Sequence, residues 1–213
     1  MTPTKSTGRA RALRGRALRA RTMRGAILAG ARRLFLAEGF ERTSMDAVAA
    51  AVGVSKMTLY RHFRSKEALF AGVVGGMVEA IADPELARTM ARLPLRQALE
   101  SFGRHSLEWI FAPEALGLHR VVVAESRRFP ELGRMFYDRG PATNVATLAA
   151  YLARNADGGL KAGEAERLAG EFMSLLRGYE HMRALLGLEG PLSPRQCHSQ
   201  VARAVEHVLA KLK

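Results

Sequence analysis

The chain has 213 residues, a formal net charge of +13, one cysteine and an ordinary apolar content, with few aromatics. A single cysteine excludes an internal disulfide, and no apolar run reaches the roughly 20 residues that a membrane-spanning helix needs. The charge is concentrated: residues 1–24 carry Lys5 and seven arginines with no acid, whereas residues 67–213 hold 18 bases against 17 acids. A basic block of this kind favours a polyanion, either nucleic acid or an anionic membrane.

Residues 1–23 read as a flexible Arg-rich arm, broken by Gly8 and Gly15 and self-repelling, with Ala17–Met23 able to extend the helix that follows. No apolar core follows the arginines, so a secretory signal is not expected in this stretch. It shares an acid-poor, Arg-rich composition with organelle transit peptides, but such peptides are cleaved, whereas this arm runs directly into a helical, capped segment. Helical spacing of Ile27, Leu28, Ala31, Leu34 and Phe35 predicts a helix over 24–38, stopped by Gly39. Thr43, three residues before Asp46, suggests a capping box opening a short helix at 45–51. Gly53 makes a turn, Ser55 caps a helix at 56–63, and Ser65 caps another at 66–81 that ends before Asp83-Pro84.

Beyond it, helices are expected over 95–111, 114–128, 130–138, 142–155, 163–186 and 194–212. Pro94, Pro113, Pro130, Gly140-Pro141, Asp157-Gly158-Gly159 and Gly190 to Pro194 punctuate them. Val121–Val123 is the most strand-like run, but it is short and flanked by helix formers. The fold class is all-α, about nine helices. A three-helix DNA-binding domain spans 24–70, and a helical effector-binding and dimerisation domain spans 71–213.

The stretch from Thr43 to Lys66 has the form of a helix-turn-helix. Val48, Ala49, Val52, Val54, Leu59 and Phe63 would hold the two helices together, leaving Lys56, Met57, Thr58, Tyr60, Arg61 and His62 outward. That face suits a major groove, which admits one helix. Gly39, Thr43, Gly53-Val54-Ser55, Thr58-Leu59-Tyr60-Arg61-His62-Phe63 and Ser65-Lys66-Glu67 together resemble the TetR/AcrR family of bacterial regulators over residues 24–75. Met57 stands where the family usually has glycine.

The resemblance implies phosphate contacts from Thr43, Ser55, Tyr60, His62 and Lys66, and base contacts from Lys56, Met57, Thr58 and Arg61. Ser55 also reads as a helix cap, Tyr60 as half-buried packing, and His62 as a phosphate donor rather than a metal ligand. No metal and no cofactor are expected. The arginine arm reads as added DNA affinity, with a solvated tail or a membrane contact as the other readings.

In the family the last two helices form a four-helix bundle across a dimer axis. Here that implicates Leu168, Phe172, Leu175, Tyr179, Val201, Val205 and Val208, part of which must serve intrachain packing. The middle helices enclose a ligand cavity in the family, which makes Phe102, His105, Trp109, His119, Phe136, Tyr137 and Phe172 candidates for an effector pocket, each with core packing as its competing reading. The stretch from Arg120 to Tyr137 resembles the effector domain of the AefR-like subset.

No phosphate-binding glycine loop, metal-ligand spacing or nucleophile motif is present in the sequence, and Cys197-His198 reads as a surface pair, so an enzyme is not expected. The expected protein is a homodimeric repressor in a bacterial cytoplasm, at the nucleoid when bound. It would bind double-stranded DNA at a palindrome and be released by a small-molecule effector, with no membrane partner. The competing readings are an architectural DNA binder and a sequestering protein with a vestigial reader.

Overall fold

The computed structural model describes residues 5–79, 84–156 and 159–212, with side chains from residue 22 onward except at 78, 79, 84 and 87. The chain divides into two compact units, residues 1–76 and 77–213. Among the described residues there are eleven helices and no strand.

The first unit holds α1 (Lys5–Glu38), α2 (Met45–Val52), α3 (Lys56–His62) and most of α4 (Lys66–Glu79). α1 corrects the expectation of an arm: its backbone is helical from Lys5. Ala, Leu and Arg, which fill residues 9–21 apart from Gly15, are among the strongest helix formers and offset the cost of Gly8 and Gly15, about 1 kcal/mol each. The core of this unit is an aromatic trio. Phe35, Phe40 and Phe70 are all buried, with ring centroids 4.9 to 5.8 Å apart, in the range where such pairs attract. Lys66 sits with its ammonium 4.4 Å from the Phe40 ring centre. Helices α1 and α2 approach closely at Gly30, where a Cβ would lie 2.3 Å from Val52 Cγ2.

The second unit holds α5 (Pro84–Met90), α6 (Leu95–Ile110), α7 (Pro113–Glu125), α8 (Pro130–Arg139), α9 (Pro141–Asn155), α10 (Ala162–Leu185) and α11 (Pro194–Lys211). α5 and the continuous α1 were not anticipated. Four of the prolines treated as breaks, Pro113, Pro130, Pro141 and Pro194, are the first residues of α7, α8, α9 and α11, a position where the missing N–H costs nothing. Ser193 completes a capping box with Gln196 at the head of α11. Arg120 donates to the carbonyls of Ala184 and Leu185, at 2.6 and 2.7 Å, and closes the C-terminus of α10. Ile81, the Asp83 stop and the Asp157-Gly158 turn lie outside the described residues.

The core of the second unit joins α6, α9, α10 and α11 around Leu99, Phe102, Leu148, Leu152, Phe172, Leu176, Val205 and Val208. Helix α10 is kinked at Gly178, whose φ of 54° and ψ of −165° belong to a region open essentially to glycine.

Candidate nucleic-acid interface and effector cavity

The α2–α3 unit is built by local chemistry. Ser44 Oγ accepts from the Ala47 N–H and caps α2. Gly53, in the left-handed region at φ 72°, closes α2 with its N–H on the Ala49 and Ala50 carbonyls. Ser55 caps α3 by accepting from the Thr58 N–H at 3.2 Å, and its hydroxyl lies 2.9 Å from that of Thr58. Leu59 turns wholly inward, while Lys56, Met57, Tyr60 and Arg61 are exposed and Thr58 and His62 are partly exposed. Met57 is 81% exposed, against 41% for Tyr60. The outward face predicted for α3 is therefore the outward face observed.

Two residues assigned to phosphate contact are placed otherwise. Thr43 is 1% exposed, and its hydroxyl donates back to the Gly39 carbonyl at 2.8 Å. It closes the turn between α1 and α2, and Ser44 rather than Thr43 is the cap. Asp46, expected to complete a capping box, instead pairs with Lys56 at 2.9 Å on the surface. Lys66 donates to the carbonyls of Phe40 at 2.9 Å and Glu41 at 3.2 Å, spending two of its three N–H bonds inside the unit. Arg42 and Arg64, both exposed, also flank the unit and were not singled out from the sequence. Their signal was only an excess of basic charge near the motif.

The second unit contains a cavity of about 360 Å³ walled by α6, α7, α8, α9 and α10. Of the seven pocket candidates, Trp109, His119, Phe136 and Tyr137 line it. Phe102 and Phe172 do not; both are fully buried in the core, their ring centroids 6.2 Å apart. His105 lies elsewhere on α6, with its Nε2 buried and without a partner. Sequence reading missed Asn144 on α9 and Arg177 and His181 on α10, which also face the cavity. The α10 pair sits on the helix whose apolar stripe was read as dimer contact, outside that stripe, and nothing in the sequence tied it to α7.

The His119 and His181 rings are 5.4 Å apart. Burial first, and Arg177 after it, hold the His119 imidazole below its ordinary value. For His181 burial, then His119 and Arg177, lower it to about 4. Both rings are neutral at pH 7 on this account.

Of the residues expected at a dimer interface, Leu168, Phe172, Val201, Val205 and Val208 are 0–3% exposed and are covered by their own chain. Leu175 is partly buried, and Tyr179 is 87% exposed. Tyr179, Met182 and Leu186, spaced by three and four residues after the Gly178 kink, form an exposed apolar stripe. Among the described residues no helix is long and apolar enough to cross a membrane, and no cluster of three or more His, Cys, Asp or Glu side chains could hold a metal ion.

Comparison with known proteins gives the same picture. Residues 27–73 match the family profile described as bacterial regulatory proteins, tetR family. Residues 97–211, more than half of the chain, match the C-terminal domain of AefR-like transcriptional repressors. The chain is 33% identical over 122 residues to the HTH-type transcriptional regulator UidR of Escherichia coli K12, covering 53% of this chain and 56% of that one. The match thus spans little more than half the length of that curated relative. A TetR-family regulator from Mesorhizobium loti superposes with a TM-score of 0.83 at 25% identity, over 91% of this chain and 98% of the other. The flavonoid-responsive regulator FrrA superposes with a TM-score of 0.72 at 32% identity, over 89% and 96%. These relatives are regulators rather than enzymes, and with an N-terminal reader at 27–73 and an AefR-like body at 97–211 the chain belongs to the TetR family of transcriptional regulators.

Proposed function

We propose that the chain is an effector-controlled repressor that binds a palindromic operator as a homodimer through α3. The observation that carries this reading is the outward face of α3, where Lys56, Thr58, Tyr60, Arg61 and the protruding Met57 stand on a helix of major-groove size. In this reading Lys56, Met57, Thr58 and Arg61 meet base edges, while Ser55, Tyr60 and His62, with Arg42 and Arg64, position the unit on phosphates. The basic residues at 1–24 add affinity that is independent of sequence. The exposed stripe of Tyr179, Met182 and Leu186 supports a dimer contact, since an apolar surface of this kind is stable when a second copy covers it.

Repression is favoured because the C-terminal match is to a repressor domain. Effector control is favoured by the cavity, whose volume falls in the range of ligand pockets, roughly 300–1,000 Å³. A ligand that prefers one of two conformations would shift operator occupancy by its difference in affinity. The direct test is selection of genomic fragments bound by the full chain, followed by footprinting. The expected result is a protected palindrome with half-sites one or more helical turns apart, about 34–36 Å or a multiple. Replacing Lys56 or Arg61 with Ala should weaken it about 5- to 150-fold. Protection without a palindrome, or binding indifferent to both substitutions, would overturn the reading.

A further inference from the structure

Among the described residues the cavity of the second unit carries hydrogen-bond donors but no acid: Arg177, His119, His181, Asn144 and Tyr137 face it, and no aspartate or glutamate does. Arg177 is partly buried there with no ion pair or hydrogen bond among the described residues. Other arginines of the same unit are satisfied: Arg120 caps α10, Arg167 pairs with Glu171, and Arg183 pairs with Glu189 at 2.6 Å. Burial disfavours the charged form of Arg177, yet a guanidinium stays protonated at neutral pH. A cation partly withdrawn from water without a counter-charge carries part of that desolvation cost, and a ligand anion offsets it.

We propose that this cavity takes a small organic acid, an apolar body bearing one carboxylate, with Arg177 as its counterion. The inference rests on reading the cavity as the effector site. The guanidinium offers two parallel N–H bonds to a carboxylate. His119 and His181, on facing helices, each offer one ring N–H beside it. Trp109, Leu118 and Phe136 supply the apolar wall for the rest of the molecule. The volume of about 360 Å³ restricts the acid to the small end of ligand size.

Trp109 is the sole tryptophan and lines the cavity, so its fluorescence reports occupancy in the full chain. The probes are benzoate, cinnamate and 2-naphthoate, each paired with its carboxamide, which has similar shape and no charge. For at least one pair the acid should bind about ten-fold or more tightly than the amide. Arg177→Gln should abolish that preference while leaving amide affinity in place, which also shows that the cavity is still folded. Arg177→Lys should retain part of it.

Equal binding of acid and amide across the panel, a preference that survives in Arg177→Gln, or no acid binding at millimolar concentration overturns the proposal. Occupancy of a selected genomic fragment is measured separately. An acid that binds through Arg177 without altering occupancy leaves this inference standing and removes effector control. A neutral ligand that releases the DNA without dependence on Arg177 does the reverse.

Discussion

Thr43 shows how a side chain with the right identity for DNA contact is used instead to build the reader. A buried hydroxyl left without a partner is costly, and the Gly39 carbonyl satisfies it within the turn. Thr43→Val keeps the shape and removes the bond. We expect a loss of about 1 kcal/mol in denaturant unfolding followed by circular dichroism, with operator affinity at matched salt unchanged once the protein is folded. A loss of affinity without loss of stability would return Thr43 to the interface. Lys56 is the opposite case. Its pair with Asp46 is open to solvent on both sides, and such pairs are worth about 0–1 kcal/mol. The ammonium can therefore leave Asp46 for DNA at little cost, as the Thr43 hydroxyl cannot leave Gly39.

At the scale of elements, the reader depends on how close α1 and α2 come. Val52 enters the space that Gly30 leaves free, so Gly30→Ala forces a methyl onto Val52 Cγ2. Overpacking of this kind costs about 1–3 kcal/mol. The double variant with Val52→Ala should recover part of that loss in the same unfolding measurement, and the recovery is what separates a steric clash from any other effect of the alanine. Helix α4 carries the chain from the first unit to the second, and the boundary falls directly after the paired glycines Gly75-Gly76. Two adjacent glycines weaken a helix by about 1 kcal/mol each relative to alanine. Among the described residues nothing lies within 4 Å of a Cβ at Gly76. Gly76→Ala should therefore raise helix stability by up to about 1 kcal/mol. If α4 conveys effector binding by bending, the variant should keep operator affinity and lose much of its release by effector in a fluorescence anisotropy titration.

For the whole molecule, the titration of the histidine pair sets a pH dependence. As pH falls through about 6.5 the unfolded chain protonates His181, while the folded chain resists until about 4. Stability is thus present above 6.5 and is lost as pH falls towards 4. Lowered His119 acts in the same direction. Unfolding followed by Trp109 fluorescence should show this slope, and His181→Gln should flatten it; an unchanged slope would place the titration elsewhere. The helices and the reader were legible in the sequence because their signals are local. Ser55, Gly53 and the buried Leu59 specify caps, a left-handed turn and an inward face within a few residues of one another. Leu168, Phe172 and Val205 were legible as an apolar stripe, yet their periodicity carried no information about what covers them, and the covering is their own chain. Tyr179, on the next turn past the Gly178 kink, stays exposed. By itself the sequence determined most of the segments that coil, the N-terminal part of α1 and α5 excepted, and which face of α3 points out, since capping and side-chain periodicity act over one or two turns. Only the tertiary structure decided that Arg177 and His181 of α10 meet His119 of α7 around one cavity, because that meeting depends on packing between helices some 60 residues apart.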